Sequence, residues 1–320
     1  MKSTGRFSFV TLAVILTLTV AAFAGALLRR GAGASMQESA GQQTSSQNRV
    51  EYSSLNSPSL GRELKYAIQL PPSYNKDAKR RYPVLYFLHG MNGSEREFEN
   101  RGVAAAVDRL REEGKIGELI IVAPDGGNSF YLNAKNGVRY EDAIVKDLIP
   151  HIEKSYRAAG TPAGRAIQGL SMGGFGALMI ALKHPEMFSS VTTHSAALFT
   201  ELPDTSGSNR RAQFLSRMIG NLFGSPPDDE FFQANNPIHL AETNAAAIKK
   251  SHLKIYFDVG EQDRYGFQAS NQVMDERLKK VGIDHKFNLF PGNHGWEYMI
   301  SVSDHSYGFL WETFKANGKP

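Results

Sequence analysis

Short, nearly continuous apolar runs alternate with longer amphipathic stretches along most of the chain. Runs that are apolar throughout are typical of strands buried on both faces of a sheet, whereas apolar residues at every third or fourth position are typical of helices. Strands are predicted at 83–90, 119–124, 165–170, 191–194, 253–260 and 285–290, and helices at 101–113, 140–157 and 267–281, with another ending near 184. This alternation predicts an α/β fold, a mostly parallel, doubly wound sheet with helices on both faces.

Two regions depart from the alternation. Residues 50–55 and 63–70 alternate only partly and are separated by a short turn, which predicts an antiparallel pair at a sheet edge. The polar stretch at about 200–250 is too long for a simple connection and contains helical patches. We expect it to be a cap inserted over the carboxyl edge of the sheet, where ligands bind in such folds.

The N-terminal segment has the composition of a targeting sequence. Two basic residues precede an apolar run at 7–28, and Ala22-Phe-Ala24 matches the small-x-small pattern of a cleavage site. Residues 1–30 are therefore predicted to be a signal peptide, with an uncleaved N-terminal membrane anchor as the alternative because the run is nearly long enough to span a bilayer. Either interpretation predicts a secreted, periplasmic or cell-envelope protein.

Composition changes sharply after this segment. Residues 31–47 are rich in Gly, Ala, Ser and Gln and are predicted to be a disordered linker. The folded domain is then expected at 48–317.

Charge and cysteine content exclude several classes of function. Four of the basic residues behind the formal charge of +4 lie in the first 30 positions, and no basic run with interleaved aromatic residues remains, so nucleic-acid binding is not expected. The chain has no cysteine, which excludes disulfides, a thiol nucleophile and cysteine-ligated metals. Histidines and carboxylates show no metal-ligand spacing such as H-E-x-x-H. We therefore expect neither a metal nor an organic cofactor.

A glycine-flanked serine lies between the predicted strand at 165–170 and the helix after it. Gly169-Leu-Ser171-Met-Gly173 fits G-x-S-x-G, the nucleophile elbow, in which side chains at the glycine positions would collide with the neighbouring strand and helix. A glycine-rich turn between strand and helix can instead bind phosphate, but neither G-x-G-x-x-G nor G-x-x-x-x-G-K-[ST] occurs here. The sequence therefore favours Ser171 as a nucleophile.

A serine nucleophile needs a histidine to take its proton and a carboxylate to orient that histidine. Both follow Ser171 in the chain order nucleophile, acid, base. Asp263, just past the strand at 253–260, is the predicted acid; Glu261 is the runner-up, and Asp258 inside the strand is expected to be structural. His294, framed by two glycines after the last strand, is the predicted base.

The oxyanion of such a reaction needs two backbone N–H donors. We expect them at Met172, directly after the nucleophile, and at Met91, in the glycine-rich loop after the first buried strand. Four further side chains at strand ends or beside the base are candidates for the substrate pocket: His89, Tyr131, His194 and Trp296. Of these, Tyr131 and Trp296 are suited to stack on a sugar or a phenolic ring.

With these residues in view, the chain resembles the esterase D-like family of α/β-hydrolases from about Val50 to Phe314. Its members include S-formylglutathione hydrolases, tributyrin-type esterases, feruloyl esterases and secreted mycolyltransferases. The resemblance implies the α/β-hydrolase fold, and it implies the roles already assigned to Ser171, Asp263, His294, Met91 and Met172. It rests on six segments in the expected order: 71–74, 84–90, 148–153, 169–176, 260–263 and 292–296.

We therefore predict a serine carboxylic-ester hydrolase that acts on short-chain or phenolic, feruloyl-like acyl esters through an acyl-enzyme. The expected substrate is a small-molecule or carbohydrate-linked ester, and contact with a membrane is expected only through the N-terminal segment. An acyltransferase of the mycolyltransferase type and a catalytically inactive envelope-binding module remain alternatives. A long lipid chain is disfavoured because the stretch at 200–250 is polar, with Arg210, Arg211, Asp228, Asp229 and Glu230.

Overall fold

The computed structural model describes residues 50–318, which form an eight-stranded sheet flanked by helices. The leader and linker predicted at 1–47 lie outside the described residues. The strands are β1 (Val50–Ser57), β2 (Arg62–Gln69), β3 (Val84–Leu88), β4 (Ile120–Pro124), β5 (Arg165–Leu170), β6 (Ser190–His194), β7 (Lys254–Gly260) and β8 (His285–Phe290).

The order of strands across the sheet is β1-β2-β4-β3-β5-β6-β7-β8. Strand β2 pairs antiparallel with both β1 and β4, and all other pairs are parallel. The predicted antiparallel pair at the sheet edge is thus confirmed. Because the remaining strands are parallel, the loops that follow β3, β5, β6, β7 and β8 meet at one edge of the sheet.

Twelve α-helices are described between residues 97 and 316, together with short 3₁₀ turns. Those between sheet strands are α1 (Glu97–Asn100), α2 (Val103–Glu112), α3 (Tyr140–Asp142), α4 (Ile149–Ser155), α5 (Met172–Lys183), α6 (Arg210–Phe223), α7 (Asp229–Asn235), α8 (Pro237–Thr243), α9 (Ala245–Ser251) and α10 (Phe267–Lys280). After β8 follow α11 (Trp296–Ser301) and α12 (Ser303–Ala316).

Successive side chains of β3 enter two different hydrophobic cores, which shows that both faces of the sheet are covered. Val84, Tyr86 and Leu88 belong to the hydrophobic core that includes residues of α4, α5, α8 and α10. Leu85 and Phe87 belong to the opposite core, which includes residues of α2 and α12. Since successive side chains of a strand point to opposite faces, a run that is apolar throughout requires both cores. The predicted α/β-hydrolase architecture is confirmed.

The helix predicted at 140–157 is interrupted. A π-helical segment, Ala143–Leu148, separates α3 from α4 and ends two residues before Pro150. Proline has no backbone N–H to donate to the carbonyl four residues earlier, so the regular α-helical ladder cannot continue through this position.

The stretch predicted as a cap at about 200–250 is divided in the structure. Its second half is not a cap, because α8 packs against α5 and α10 and buries Ile238, Leu240 and Ala241 in the hydrophobic core. Only residues up to 218, including part of α6, line the cavity beside Ser171. In the part of the chain that the structure describes, no helix is both long and apolar enough to cross a membrane.

A buried carboxylate ties α3, α5 and α7 together. The Glu141 side chain is 5% exposed, and its oxygens lie 2.7 Å from Lys183 Nζ and 2.9 Å from His184 Nε2. Lys183 Nζ also donates to Asn235 Oδ1 over 3.2 Å. Burial raises the pKa of Glu141, but the hydrogen bonds from His184 and Lys183 outweigh it and hold this pKa below its ordinary value.

We expect Glu141→Gln to lower the free energy of unfolding by about 2–3 kcal/mol near neutral pH, because two charge-assisted hydrogen bonds are lost. The folded-state pKa lies below the unfolded one, so this contribution is present above the unfolded pKa and disappears as pH falls through the folded value. Urea unfolding at several pH values should therefore show the two proteins converging in acid. The control is Glu312→Gln, whose carboxylate is 68% exposed beside Lys315; an equal loss there would contradict this account.

Candidate active site

The backbone of Ser171 is strained where β5 passes into α5. Its φ is 57° and its ψ −116°, a conformation that side-chain-bearing residues rarely adopt. Its N–H donates to His194 O over 3.0 Å, and its carbonyl accepts from Phe175 and Ala197 at 3.0 and 2.9 Å. These bonds to α5 and to the chain around β6 hold the serine at the carboxyl edge of the sheet.

The positions on either side of the elbow, 169 and 173, must be glycine because no side chain fits there. A Cβ on Gly169 would lie 2.0 Å from Gly173 O, and a Cβ on Gly173 would lie 2.0 Å from Leu88 O. Both contacts are with backbone atoms, which cannot rotate away. The sharp turn therefore depends on the close approach of β3, β5 and α5.

The structure brings Ser171, His294 and Asp263 into one hydrogen-bonded row. His294 Nε2 lies 2.9 Å from Ser171 Oγ, and His294 Nδ1 lies 2.7 Å from Asp263 Oδ2. The three residues follow β5, β8 and β7, whose carboxyl ends meet at one sheet edge. This arrangement is able to remove a proton from a serine hydroxyl and to stabilise the imidazolium that results.

Asp263 is held in its ionised form. Burial raises its pKa, but hydrogen bonding and charge from His294, with the backbone N–H of Tyr265, outweigh burial and hold the pKa below its usual range. The acid and base loops are joined by Asn293 Oδ1, which accepts the N–H groups of Arg264 and His294 at 3.0 and 2.8 Å. The runner-up, Glu261, is exposed and bonds to neither partner of the row.

A second histidine and aspartate pair lies close by but is sealed inside the protein. His194 Nδ1 is 3.0 Å from Asp258 Oδ1, and His194 Nε2 is 2.9 Å from Ser306 Oγ. These three residues are 0% exposed. Hence no substrate reaches them, and the expectation that His194 lines the pocket is wrong. Asp258 is structural, as its position inside the strand indicated.

The loop that carries Met91 is fixed by side chains beneath it. His89 Nδ1 donates to Gly90 O over 2.7 Å, and His89 Nε2 accepts from Gly126 N–H over 2.9 Å. Asn92 N–H donates to Asn128 Oδ1 over 2.7 Å. Because His89 is buried by these contacts, it supports the loop and does not line the pocket, contrary to expectation.

A cavity of about 1030 Å³ opens beside Ser171 and His294. Met91, Met172 and Trp296 line it, as expected, whereas Tyr131 does not. The Tyr131 ring is fully buried, occupies the space where a Cβ on Gly126 or Gly176 would lie, and donates its hydroxyl to His89 O over 3.3 Å. Tyr131 therefore supports the wall from behind.

The wall of this cavity is mainly apolar. The stretch at 200–250 contributes Phe214, Leu215 and Met218 from one face of α6, and its acidic residues at 228–230 do not line the cavity. The expectation of a polar wall is therefore wrong, because composition over the whole stretch does not show which face of α6 points inward. The spacing i, i+1, i+4 of these three residues is the signal that sequence reasoning passed over. Phe130, Phe199 and Phe267 complete the aromatic part of the wall.

Two residues beside His294 also lie outside the predicted set. The ring of Tyr265 is 53% exposed and meets the imidazole edge-on at 4.7 Å between centroids. The guanidinium carbon of Arg264 lies 5.1 Å from the centre of that ring. Both line the cavity and directly follow Asp263, so the loop that carries Asp263 also borders the cavity.

Comparison with known proteins agrees with the fold. The family described as "Putative esterase" matches residues 57–302 of the chain. The chain belongs to this esterase family. The resemblance inferred from sequence motifs is thereby confirmed.

Relatives in the esterase family are similar over most of the described domain. An esterase of Mycobacterium tuberculosis is 29% identical over 244 residues, covering 71% of this chain and 51% of its own length. An acetyl esterase of Caldicellulosiruptor saccharolyticus is 28% identical over 223 residues, covering 67% and 78%. The solved structure of a ferulic acid esterase is 28% identical, covers 84% of this chain and 99% of its own, and has a TM-score of 0.70. The chain spans about half the length of the mycobacterial relative it matches.

We expect Gly173→Ala to abolish the native elbow, because its methyl group would meet the Leu88 carbonyl at 2.0 Å. The loss of folding free energy should exceed about 3 kcal/mol, as for severe overpacking. The matched control is Gly308→Ala in α12, where the added Cβ meets nothing within 4 Å. That substitution should be neutral or stabilise by about 0.5–1 kcal/mol. Similar thermal unfolding midpoints for the two variants would contradict the steric argument.

Proposed function

We propose that the protein hydrolyses carboxylic esters, with Ser171 as nucleophile, His294 as general base and acid, and Asp263 as the orienting carboxylate. The observation that supports this most directly is the row of hydrogen bonds of 2.7 and 2.9 Å that joins the three residues at the mouth of a cavity. Membership of the esterase family and the names of its relatives support the same reaction class.

The proposed reaction proceeds in two steps. In the first, Ser171 Oγ attacks the ester carbonyl while His294 Nε2 takes its proton; His294 then gives that proton to the leaving alcohol, and an acyl-enzyme remains. In the second, water attacks the acyl carbonyl while His294 Nε2 takes its proton; the bond to Ser171 Oγ then breaks, His294 returns the proton to Oγ, and the acid is released. Asp263 keeps Nδ1 protonated throughout, so that Nε2 faces the serine.

The negative charge that forms on the carbonyl oxygen needs preorganised donors. We assign these to the backbone N–H groups of Met172 and Met91, which border the cavity together with Ser171. The N–H of Met172 lies in the first turn of α5, where N–H groups have no partner within the helix. Each such donor is worth about 3 kcal/mol of barrier lowering.

A phenolic acyl group is the substrate we favour. The cavity wall carries the rings of Phe130, Phe199 and Phe267, which offer edge and face contacts to an aromatic acyl group. The similarity to a ferulic acid esterase over nearly its full length supports the same class. The side near His294, bordered by Tyr265 and Trp296, is then left for the alcohol.

We expect Ser171→Ala to lower kcat on 4-nitrophenyl acetate by about 10⁴ or more, since the nucleophile is lost while the remaining site stays in place. A fluorophosphonate probe should label the wild type and not this variant. The matched control is Ser189→Ala, which removes a hydroxyl bonded to Arg165 O next to the amino end of β6; it should keep wild-type kcat. Hydrolysis that survives in folded Ser171→Ala would sink the proposed function.

A panel of esters should distinguish the acyl groups. We expect kcat/KM for methyl ferulate to exceed that for a C16 acyl ester, because an aromatic wall suits a short planar group better than a flexible chain. Adding a sugar acceptor should leave hydrolysis as the main fate of the acyl group. A preference for C16, or transfer that outpaces hydrolysis, would instead indicate a lipid acyltransferase on the same three residues.

A further inference from the structure

One buried carboxylate close to the active site is shared by three elements. Asp258 on β7 accepts hydrogen bonds from the hydroxyls of Tyr298, in α11, and Tyr256, each over 2.9 Å. His194, at the end of β6, lies 3.0 Å from the same carboxylate through Nδ1. Asp258 is 0% exposed. A carboxylate without access to water is tolerated only when such partners remain in place, so these contacts fix the position of each partner relative to β7.

The ring of Tyr298 lies against the junction of the acid and base loops. A Cβ on Gly292 would be 2.7 Å from Tyr298 Cδ2, which shows that the ring is packed on the Gly292 backbone. Gly292 exchanges two hydrogen bonds with Gln262: its carbonyl accepts over 2.9 Å, and its N–H donates to Oε1 over 2.8 Å. Gln262 directly precedes Asp263, and Gly292 is two residues before His294.

We propose that Tyr298 is a positioning residue for His294. Its hydroxyl, anchored on Asp258, holds the ring against Gly292 and so keeps the imidazole at hydrogen-bond distance from both Ser171 and Asp263. Tyr298 does not line the cavity and touches no reacting atom. Its effect on the reaction is indirect: a displacement of about 1 Å in a catalytic group lowers a rate by about 10²-fold. The inference rests on the proposed function.

The chain offers a matched control on the same carboxylate. Tyr256 donates to the other oxygen of Asp258 over the same distance, and its ring packs against Phe309. It lies two residues before Asp258 on β7, so its bond ties the strand to itself and reaches neither catalytic loop. Phenylalanine at either position removes one hydroxyl from one buried carboxylate. Both variants should therefore lose stability to a similar extent, a few degrees in Tm.

The test compares wild type, Tyr298→Phe and Tyr256→Phe on 4-nitrophenyl acetate, together with the rate of fluorophosphonate labelling. Tyr298→Phe should lower kcat at least tenfold with KM within twofold, and slow labelling by the same factor. Tyr256→Phe should keep kcat within twofold despite a similar fall in Tm. Equal losses of kcat in the two variants, or no loss in Tyr298→Phe, would overturn the inference.

A second variant keeps the test informative if Tyr298→Phe does not fold. Gly292→Ala retains the hydroxyl but places a methyl group 2.7 Å from the ring on a backbone whose φ of 141° already disfavours a side chain, and it should also lower kcat at least tenfold with KM within twofold. An unchanged kcat there would contradict the proposal. Failure of the proposed function is recognised separately, because the wild type itself would then neither hydrolyse the ester nor react with the probe.

Discussion

The close approach of three backbone segments at the nucleophile is the constraint on which the rest of the site depends. Strands β3 and β5 and helix α5 come so near one another that only hydrogen atoms fit at Gly169 and Gly173. Ser171 takes a strained conformation within this contact, and the carbonyl of His194 on the neighbouring strand holds its N–H. A strained residue persists only where its surroundings over-determine it. The parallel sheet supplies those surroundings and at the same time aligns the loops that carry the acid and the base.

Burial separates two sets of residues that are alike in chemistry. The row of Asp263, His294 and Ser171 opens on a cavity, whereas Asp258 and His194 have no access to solvent at all. Sequence order alone distinguishes the two aspartates only by whether they lie in or after the strand. In three dimensions the buried pair fixes strand ends, whereas Ser171 and His294 of the row line the cavity. The same side-chain types thus support the fold in one place and, on the proposed function, carry out the chemistry in another.

Much of this arrangement was predictable because its signals are local. Runs such as 84–88 are apolar throughout since both faces of β3 are covered, and G-x-S-x-G is a local pattern even though the contact that excludes a side chain at Gly173 is with Leu88 on β3. Asp263 and His294 stand out in the sequence because each lies in a short loop after a strand, and the structure brings both to Ser171. The prediction that His89 and Tyr131 line the pocket was wrong because the direction of their side chains depends on packing between distant parts of the chain. A position at a strand end shows that a side chain is near the active edge, but tertiary packing decides whether it points into the cavity or beneath it.

The cavity wall was the hardest part to predict, and the reason is physical. Its apolar residues come from separate segments, among them Phe130, Phe199 and Phe267, and from α6, which also carries exposed polar residues such as Gln213 and Arg217 and packs other apolar residues into the core. The average polarity of the stretch at 200–250 combines residues on both faces of the helix, so it does not show that the face toward the cavity is apolar. The acyl site is therefore a property of how α6 is oriented on the sheet edge. On the proposed function, reactivity therefore depends on the backbone contacts around Ser171, whereas selectivity depends on the residues of α6 that line the cavity and on the aromatic residues beside them.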